Sequence, residues 1–304
     1  MSSPVSVARF ARPAPVQVTM HVTANVDVAP ASRIVTLETR APAAVALPPS
    51  LPGQFVHLKL GDGFAPFLRR PFSILGHRHT TEGRTRLAIM YAVVGAGTER
   101  LAAMRPDQPV ELLGPLGNGF APPDGGRWVL VAGGRGAAPL YRLLETLEAG
   151  AAVHFGTPPT PSALRVLFGA RSREHLWGLE RLRGVPHQLA TDDGSIGQRG
   201  TVVELLETEL EMPAAPPPVI LACGPEPMLA AVARVAARAG VPAQVSLESR
   251  MGCACGLCRG CVIPRRIGRA SPWPRDGNAA YATVCKEGPV FLGDEVDWDA
   301  VPEI

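Results

Sequence analysis

The chain has 304 residues, enough for two domains of ordinary size with separate cores. Hydrophobic residues make up 46%, aromatic residues 5%, and the net charge is only +3, so a folded protein is expected without the basic footprint of nucleic-acid binding. No run of about 18 uncharged apolar residues suggests a membrane-spanning helix. Pro4, Pro13 and Pro15 interrupt any secretory leader, and a cytoplasmic protein with no membrane attachment is expected.

Residues 1–15 read as a flexible tail. From 16 to 122 the chain shows six short strand-like runs, Val16–Val26, Arg33–Thr39, Gln54–Leu60, Pro71–Leu75, Arg86–Val94 and Val110–Leu113, punctuated by Gly, Pro and Asp. Short strands with turn signals and no helical period predict a small antiparallel barrel. Arg70-Pro71-Phe72-Ser73 opens one of them. A guanidinium matches a diphosphate, an aromatic ring offers a stacking surface, and a hydroxyl offers a hydrogen bond, although a basic turn running into a strand explains the run equally well. Gly95-Ala96-Gly97-Thr98 begins a helical segment to Met104, which reads either as a phosphate-binding helix start or as a glycine turn with Thr98 as its cap.

Residues 123–248 change pattern. Strands at Trp128–Ala132, Leu164–Gly169, His187–Thr191 and Val219–Ala222 alternate with helices at about 137–149, 173–182, 201–210 and 226–239, which predicts a parallel, nucleotide-binding-like sheet. Gly133-Gly134-Arg135-Gly136 follows the first strand and would let backbone approach a dinucleotide pyrophosphate; it is not the G-x-G-x-x-G of common dehydrogenases. Cys223-Gly224-Pro225 stands at another strand's C-terminal end, where ligands bind in open sheets, so Cys223 is either a pocket-lining thiol or a small core residue. Thr191–Ser195 would meet ribose hydroxyls or form a plain Asx turn. The proline-dense stretches Gly156–Ser162 and Glu211–Pro218 read as linkers.

The last part, 249–304, holds five of the six cysteines, which makes a site of them rather than a distributed disulfide framework. Cys253, Cys258 and Cys261 stand as C-x4-C-x2-C and Cys285 follows, the spacing of a plant-type [2Fe–2S] cluster. Cys255 is the odd cysteine, and a ligand swap with Cys253 stays open. Structural zinc is the rival, but the two C-x2-C pairs share Cys258, whereas a zinc ribbon uses two separate pairs.

In this order the motifs Arg70–Ser73, Gly95–Thr98, Gly114-Pro115-Leu116-Gly117-Asn118-Gly119-Phe120, Gly133–Pro139 and Cys223–Met228 resemble the ferredoxin–NADP reductase superfamily. Glu248-Ser249-Arg250-Met251 and Val284-Cys285-Lys286-Glu287-Gly288-Pro289-Val290-Phe291 narrow the resemblance to electron-transfer subunits of class B (NAD-linked) dihydroorotate dehydrogenase, over about residues 16–298. The resemblance implies an α+β multidomain fold: an antiparallel β-barrel binding FAD, an α/β parallel-sheet domain binding NAD, and a [2Fe–2S] module. It implies FAD contacts from Arg70, Pro71, Phe72, Ser73, Met90, Tyr91, Ala92, Gly97 and Thr98, nucleotide contacts from Gly133, Gly134 and Gly136, and cluster ligands Cys253, Cys258, Cys261 and Cys285. It also implies an FMN-containing catalytic subunit as partner, in a heterotetramer with two copies of each, and a role in pyrimidine biosynthesis without an acid–base residue on this chain. A diaphorase subunit of another complex, of hydrogenase or ferredoxin:NAD(P) oxidoreductase type, is the alternative. Two departures stand out: Tyr91-Ala92 replaces the family's Tyr-Arg, which loosens a phosphate contact, and Arg135 replaces an apolar residue. The basic insertion Arg265–Asn278 reads as a surface loop.

Overall fold

The computed structural model describes residues 14–40, 47–61, 65–123, 125–150, 159–212, 217–268, 271–273 and 279–301. The predicted tail up to residue 13 and parts of the two predicted linkers and of the insertion lie outside them.

Six antiparallel strands, β1 (Val16–Ala29), β2 (Ser32–Glu38), β3 (Phe55–Lys59), β4 (Arg70–His79), β5 (Thr85–Ala92) and β6 (Pro109–Leu116), close into a barrel of order β1-β2-β5-β4-β3-β6. Alternate residues such as Val35 and Leu37, Leu87 and Ile89, and Val56 and Leu58 fill its interior, as the period of two requires. Helix α1 (Ala96–Ala103) crosses from β5 to β6. Asn25 ties its end down, donating from Nδ2 to the Leu101 carbonyl at 2.7 Å and accepting from the Tyr91 hydroxyl at 2.8 Å.

The second sheet has seven strands in the order β10-β9-β8-β7-β11-β12-β15. These are β7 (Arg127–Gly133), β8 (Leu164–Ala170), β9 (His187–Thr191), β10 (Gln198–Arg199), β11 (Pro218–Cys223), β12 (Ala243–Ser246) and β15 (Val290–Leu292). All pairs are parallel except β12 with β15. Helices α2 (Ala137–Glu148), α3 (Val202–Glu211) and α4 (Glu226–Ala239) cover it. Thr201 and Glu204 cap α3 reciprocally, and Gly240 in the left-handed region ends α4. Between them, β13 (Val262–Pro264) and β14 (Tyr281–Thr283) form a small hairpin.

Three outcomes depart from the sequence reading. The helix expected at 173–182 is two short 3-10 turns, Arg173–His175 and Leu179–Leu182. Gly178 between them has φ 68°, and the Trp177 indole donates to the Gly134 carbonyl at 3.0 Å, so tertiary bonding overrides a helical pattern. The tail strand β15 completes the edge of the second sheet instead of staying within the cysteine module. The insertion is not wholly a surface loop: Trp273 is 6% exposed, packs in the core shared by barrel and sheet, and donates to the Gly119 carbonyl at 3.1 Å.

The two large units are joined by polar pegs. Gln244 of β12 donates to the Ala121 carbonyl at 2.6 Å and accepts from the Ala121 amide at 2.8 Å. Buried Arg142 of α2 donates to the Ser50 carbonyl at 3.2 Å and to Thr146 at 2.9 Å. Gln244 and one Arg142 nitrogen are thus partnered across the interface, while Thr146 holds Arg142 from its own helix.

Candidate redox centre

The cysteine loop is shaped by residues in the left-handed region: Ala254 at φ 55°, Gly256 at 84° and Arg259 at 57°. Left-handed residues among ordinary ones turn successive amides to one side and form a cradle for negative charge. The Cys258 amide donates to the Cys253 sulfur at 3.3 Å, the Gly260 amide to the Cys258 sulfur at 3.5 Å, and the Cys285 amide to the Cys261 sulfur at 3.4 Å. Burial pushes the Cys253 thiol up, but the amides of Cys258 and Cys255 outweigh it and bring it to about 6. Cys261 falls to about 7, through the hydrogen bond from the Cys285 thiol and the amides of Cys285 and Val284, against burial. The Cys285 thiol is raised by that bond and by burial. A thiolate-stabilising nest on this donor set is what an iron–sulfur core requires of its ligands.

A side chain at Gly256 would meet Lys286 Cδ at 2.7 Å and displace that side chain, and the φ of 84° itself favours glycine. The structure brings the four cysteines expected from spacing together as two pairs, Cys253 with Cys258 and Cys261 with Cys285, drawn from two segments. Cys261 and Cys285 are buried, Cys253 is half-buried and Cys258 is exposed. Cys255 is exposed, its thiol is raised by burial and by Cys253, and it hydrogen-bonds to Cys253 within the loop. Among the described residues no three His, Cys, Asp or Glu side chains are placed to hold one metal ion.

On the barrel, the structure brings two separate motifs together. Arg70 lies along Gly97, where an added Cβ would stand 3.3 Å from both its Cγ and its Nε. A guanidinium beside a glycine at a helix start is a chemical fit for a diphosphate. The Thr98 hydroxyl braces the turn itself, accepting from the amides of Val94 at 2.8 Å and Gly95 at 3.1 Å, and Gly95 is the cap residue. Pro71 and Ser73 are half-buried on the outer wall. Phe72, expected as a stacking surface, points into the barrel, 9% exposed and edge-on to Tyr91 with centroids 6.2 Å apart. The strand period of two puts it on the face opposite Ser73. Met90 is buried toward the second sheet, Tyr91 faces the barrel interior, and Ala92 is half-buried.

In the second sheet, β7 and β11 lie side by side at the point where strand order reverses, the position that opens a ligand crevice at the C-terminal ends. Gly134 has φ 53° with open space at its Cβ position. Gly133 and Gly136 serve packing: a Cβ on Gly133 would meet Met228 Sδ at 2.5 Å, and one on Gly136 would meet the Cys223 carbonyl oxygen at 2.3 Å. Cys223 is 2% exposed and its thiol is pushed up by burial and by Glu248, so it lies beneath the crevice floor. Glu248 is exposed just past β12. In the loop after β9, the Asp193 carboxylate accepts from the Ser195 amide at 2.9 Å and its hydroxyl at 2.6 Å, and so forms an Asx turn. Sequence reasoning missed Trp177, because nothing local marks an indole that anchors a distant turn.

A barrel with an anion-ready glycine turn, a switch-point crevice and an amide-lined cysteine nest define an oxidoreductase of the flavin and iron–sulfur class. Residues 248–297 match the family model of the iron–sulfur cluster binding domain of dihydroorotate dehydrogenase B. The chain is 35% identical over 253 residues to the dihydroorotate dehydrogenase B (NAD(+)) electron transfer subunit of Desulforamulus reducens, covering 82% of this chain and 88% of that protein. It is 38% identical over 256 residues to the corresponding subunit of Bacillus caldolyticus, covering 81% and 86%. In fold it resembles an NADH-dependent reduced ferredoxin-NADP oxidoreductase, with TM-score 0.73 and 24% identity over 93% of this chain and 91% of that one. The chain belongs to the family of dihydroorotate dehydrogenase B electron transfer subunits.

Proposed function

We propose that this chain carries electrons from an FMN-containing, dihydroorotate-oxidising catalytic subunit through a [2Fe–2S] cluster and FAD to NAD+, in pyrimidine biosynthesis. When bound, FAD exchanges an electron pair with nicotinamide and single electrons with the cluster, and that is why both groups are needed. Arg70 and the Gly97 turn would hold the FAD diphosphate, and Ser73 would face the flavin from the outer wall. Gly134 would admit the dinucleotide pyrophosphate. Cys253, Cys258, Cys261 and Cys285 would ligate the cluster, with the amides of Cys258, Gly260 and Cys285 stabilising its sulfurs. No side chain of this chain is assigned a proton-transfer role. A cytoplasmic location and a heterotetramer of two of each subunit belong to the same reading; among the described residues no helix is long and apolar enough to cross a membrane.

The observation that carries this reading is adjacency. Phe55 of β3 pairs in register with Ser73, and a Cβ on Gly117 would stand 3.0 Å from Phe55 Cε1 and 2.6 Å from Pro289 Cδ in the turn after Cys285. One strand therefore separates the flavin motif from the cluster module. The test is co-expression with the FMN-containing subunit: the complex should reduce NAD+ with dihydroorotate, and the catalytic subunit alone should not. NAD+ reduction by the catalytic subunit alone, at the rate of the complex, would overturn the reading.

A further inference from the structure

Asn118 lies in the loop that leaves β6 and is 1% exposed. Its side chain bonds entirely to one turn of the cysteine module. Nδ2 donates to the carbonyls of Glu287 at 2.9 Å and Val290 at 2.8 Å, and Oδ1 accepts from the Val290 amide at 2.8 Å. Its own amide donates to the Gly288 carbonyl at 2.6 Å. Both side-chain donors and one acceptor site are thus used on the turn that follows Cys285. Gly117 permits the approach, since a Cβ there would stand 2.6 Å from Pro289 Cδ.

The turn is equally tied to the cluster ligands. The Glu287 carboxylate accepts from the Thr283 amide at 2.7 Å, and the Val284 amide donates to the Cys261 carbonyl at 2.9 Å. In the other direction, Gln54 donates to the Gly117 carbonyl at 2.9 Å, and the Gln54 carbonyl accepts from the Ile74 amide at 3.2 Å, one residue past Ser73. A continuous hydrogen-bonded path therefore runs from the flavin strand through Gln54, Gly117 and Asn118 to the Cys285 turn.

We propose that Asn118 is a positioning residue for electron transfer: it fixes the Cys285 turn, and with it the cluster, at a set place relative to the flavin strand. The inference rests on the electron-transfer reading above. An amide is required because the turn presents two acceptors and one donor to the same side chain. A carboxylate would set negative charge against two carbonyl oxygens, and an apolar side chain would leave buried polar groups of the turn unpaired.

The experiment uses the complex with its catalytic subunit, comparing the parent with Asn118→Leu and Asn118→Asp. Iron content, the electron paramagnetic resonance signal of the reduced cluster, and stopped-flow reduction by NADH are recorded. The expected result is retained iron with an altered cluster signal, flavin bleaching at the parental rate, and cluster reduction slowed by about tenfold or more, the usual scale for loss of an outer-shell partner. An unaltered signal with unchanged cluster reduction, in either variant that retains flavin, would overturn the proposal. If Asn118→Leu fails to load flavin, Asn118→Asp decides, since it keeps the shape and one acceptor. A parent protein whose cluster is never reduced by NADH would instead overturn the electron-transfer reading and leave the seat of Asn118 without that role.

Discussion

Replacing Trp273 by Ala tests whether the insertion is structural. The indole is 6% exposed within the core shared by the two large units, and its N–H reaches the Gly119 carbonyl. Truncating a buried Trp to Ala costs about 3–5 kcal/mol through lost burial and the cavity left behind. The orphaned carbonyl adds on the order of 1 kcal/mol. At roughly 2 °C per kcal/mol for a chain of this size, the melting temperature should fall by about 8–12 °C. Differential scanning calorimetry of the flavin-loaded protein reads this directly. Ile267→Ala serves as control, because Ile267 is 57% exposed in the same segment and its loss should stay within about 0.5 kcal/mol. A Trp273→Ala melting temperature equal to that of the control would refute the burial argument and return the insertion to a surface loop.

Gly136→Ala should weaken NAD+ binding while leaving flavin content intact, because the new Cβ would stand 2.3 Å from the Cys223 carbonyl oxygen and force two backbones apart at about 1–3 kcal/mol; an unchanged KM for NAD+ would contradict the close packing. Cys255→Ser should keep full iron content and Cys253→Ser should lose it, since Cys253 receives the Cys258 amide whereas Cys255 is exposed; iron analysis showing the reverse would make Cys255 the ligand. His77, held down to about 3 by burial and by Arg142, is neutral in the folded state, while the unfolded chain takes up that proton below its ordinary value of 6.5. Stability should therefore be complete above about pH 6.5 and fall toward pH 3, by up to about 1.4 kcal/mol per pH unit for this group. His77→Asn should flatten denaturation midpoints over that range, and an unchanged pH profile would count against it.

Much of this architecture was legible because local chemistry and global fold agree. The barrel strands alternate apolar and polar residues between Gly/Pro turns, and the cysteine spacing carries its own chemistry. What escaped is non-local. Residues 173–182 look helical until Trp177 is drawn to the Gly134 carbonyl. Strand β15 is three residues long and acquires its place only from β12 beside it. Phe72 was assigned to the ligand side by motif, whereas the strand period sends it inward to Tyr91. Gly133 and Gly136 stood out as ligand-facing glycines, yet Met228 and the Cys223 backbone occupy the space that side chains there would need.

The most direct test of the central claim is an anaerobic NADH titration of the purified chain, followed by visible absorption and electron paramagnetic resonance. The account predicts that NADH bleaches both flavin and iron–sulfur bands and produces the signal of a reduced [2Fe–2S] cluster. A colourless protein carrying stoichiometric zinc, or a flavin that NADH bleaches while the cluster stays oxidised, would contradict it.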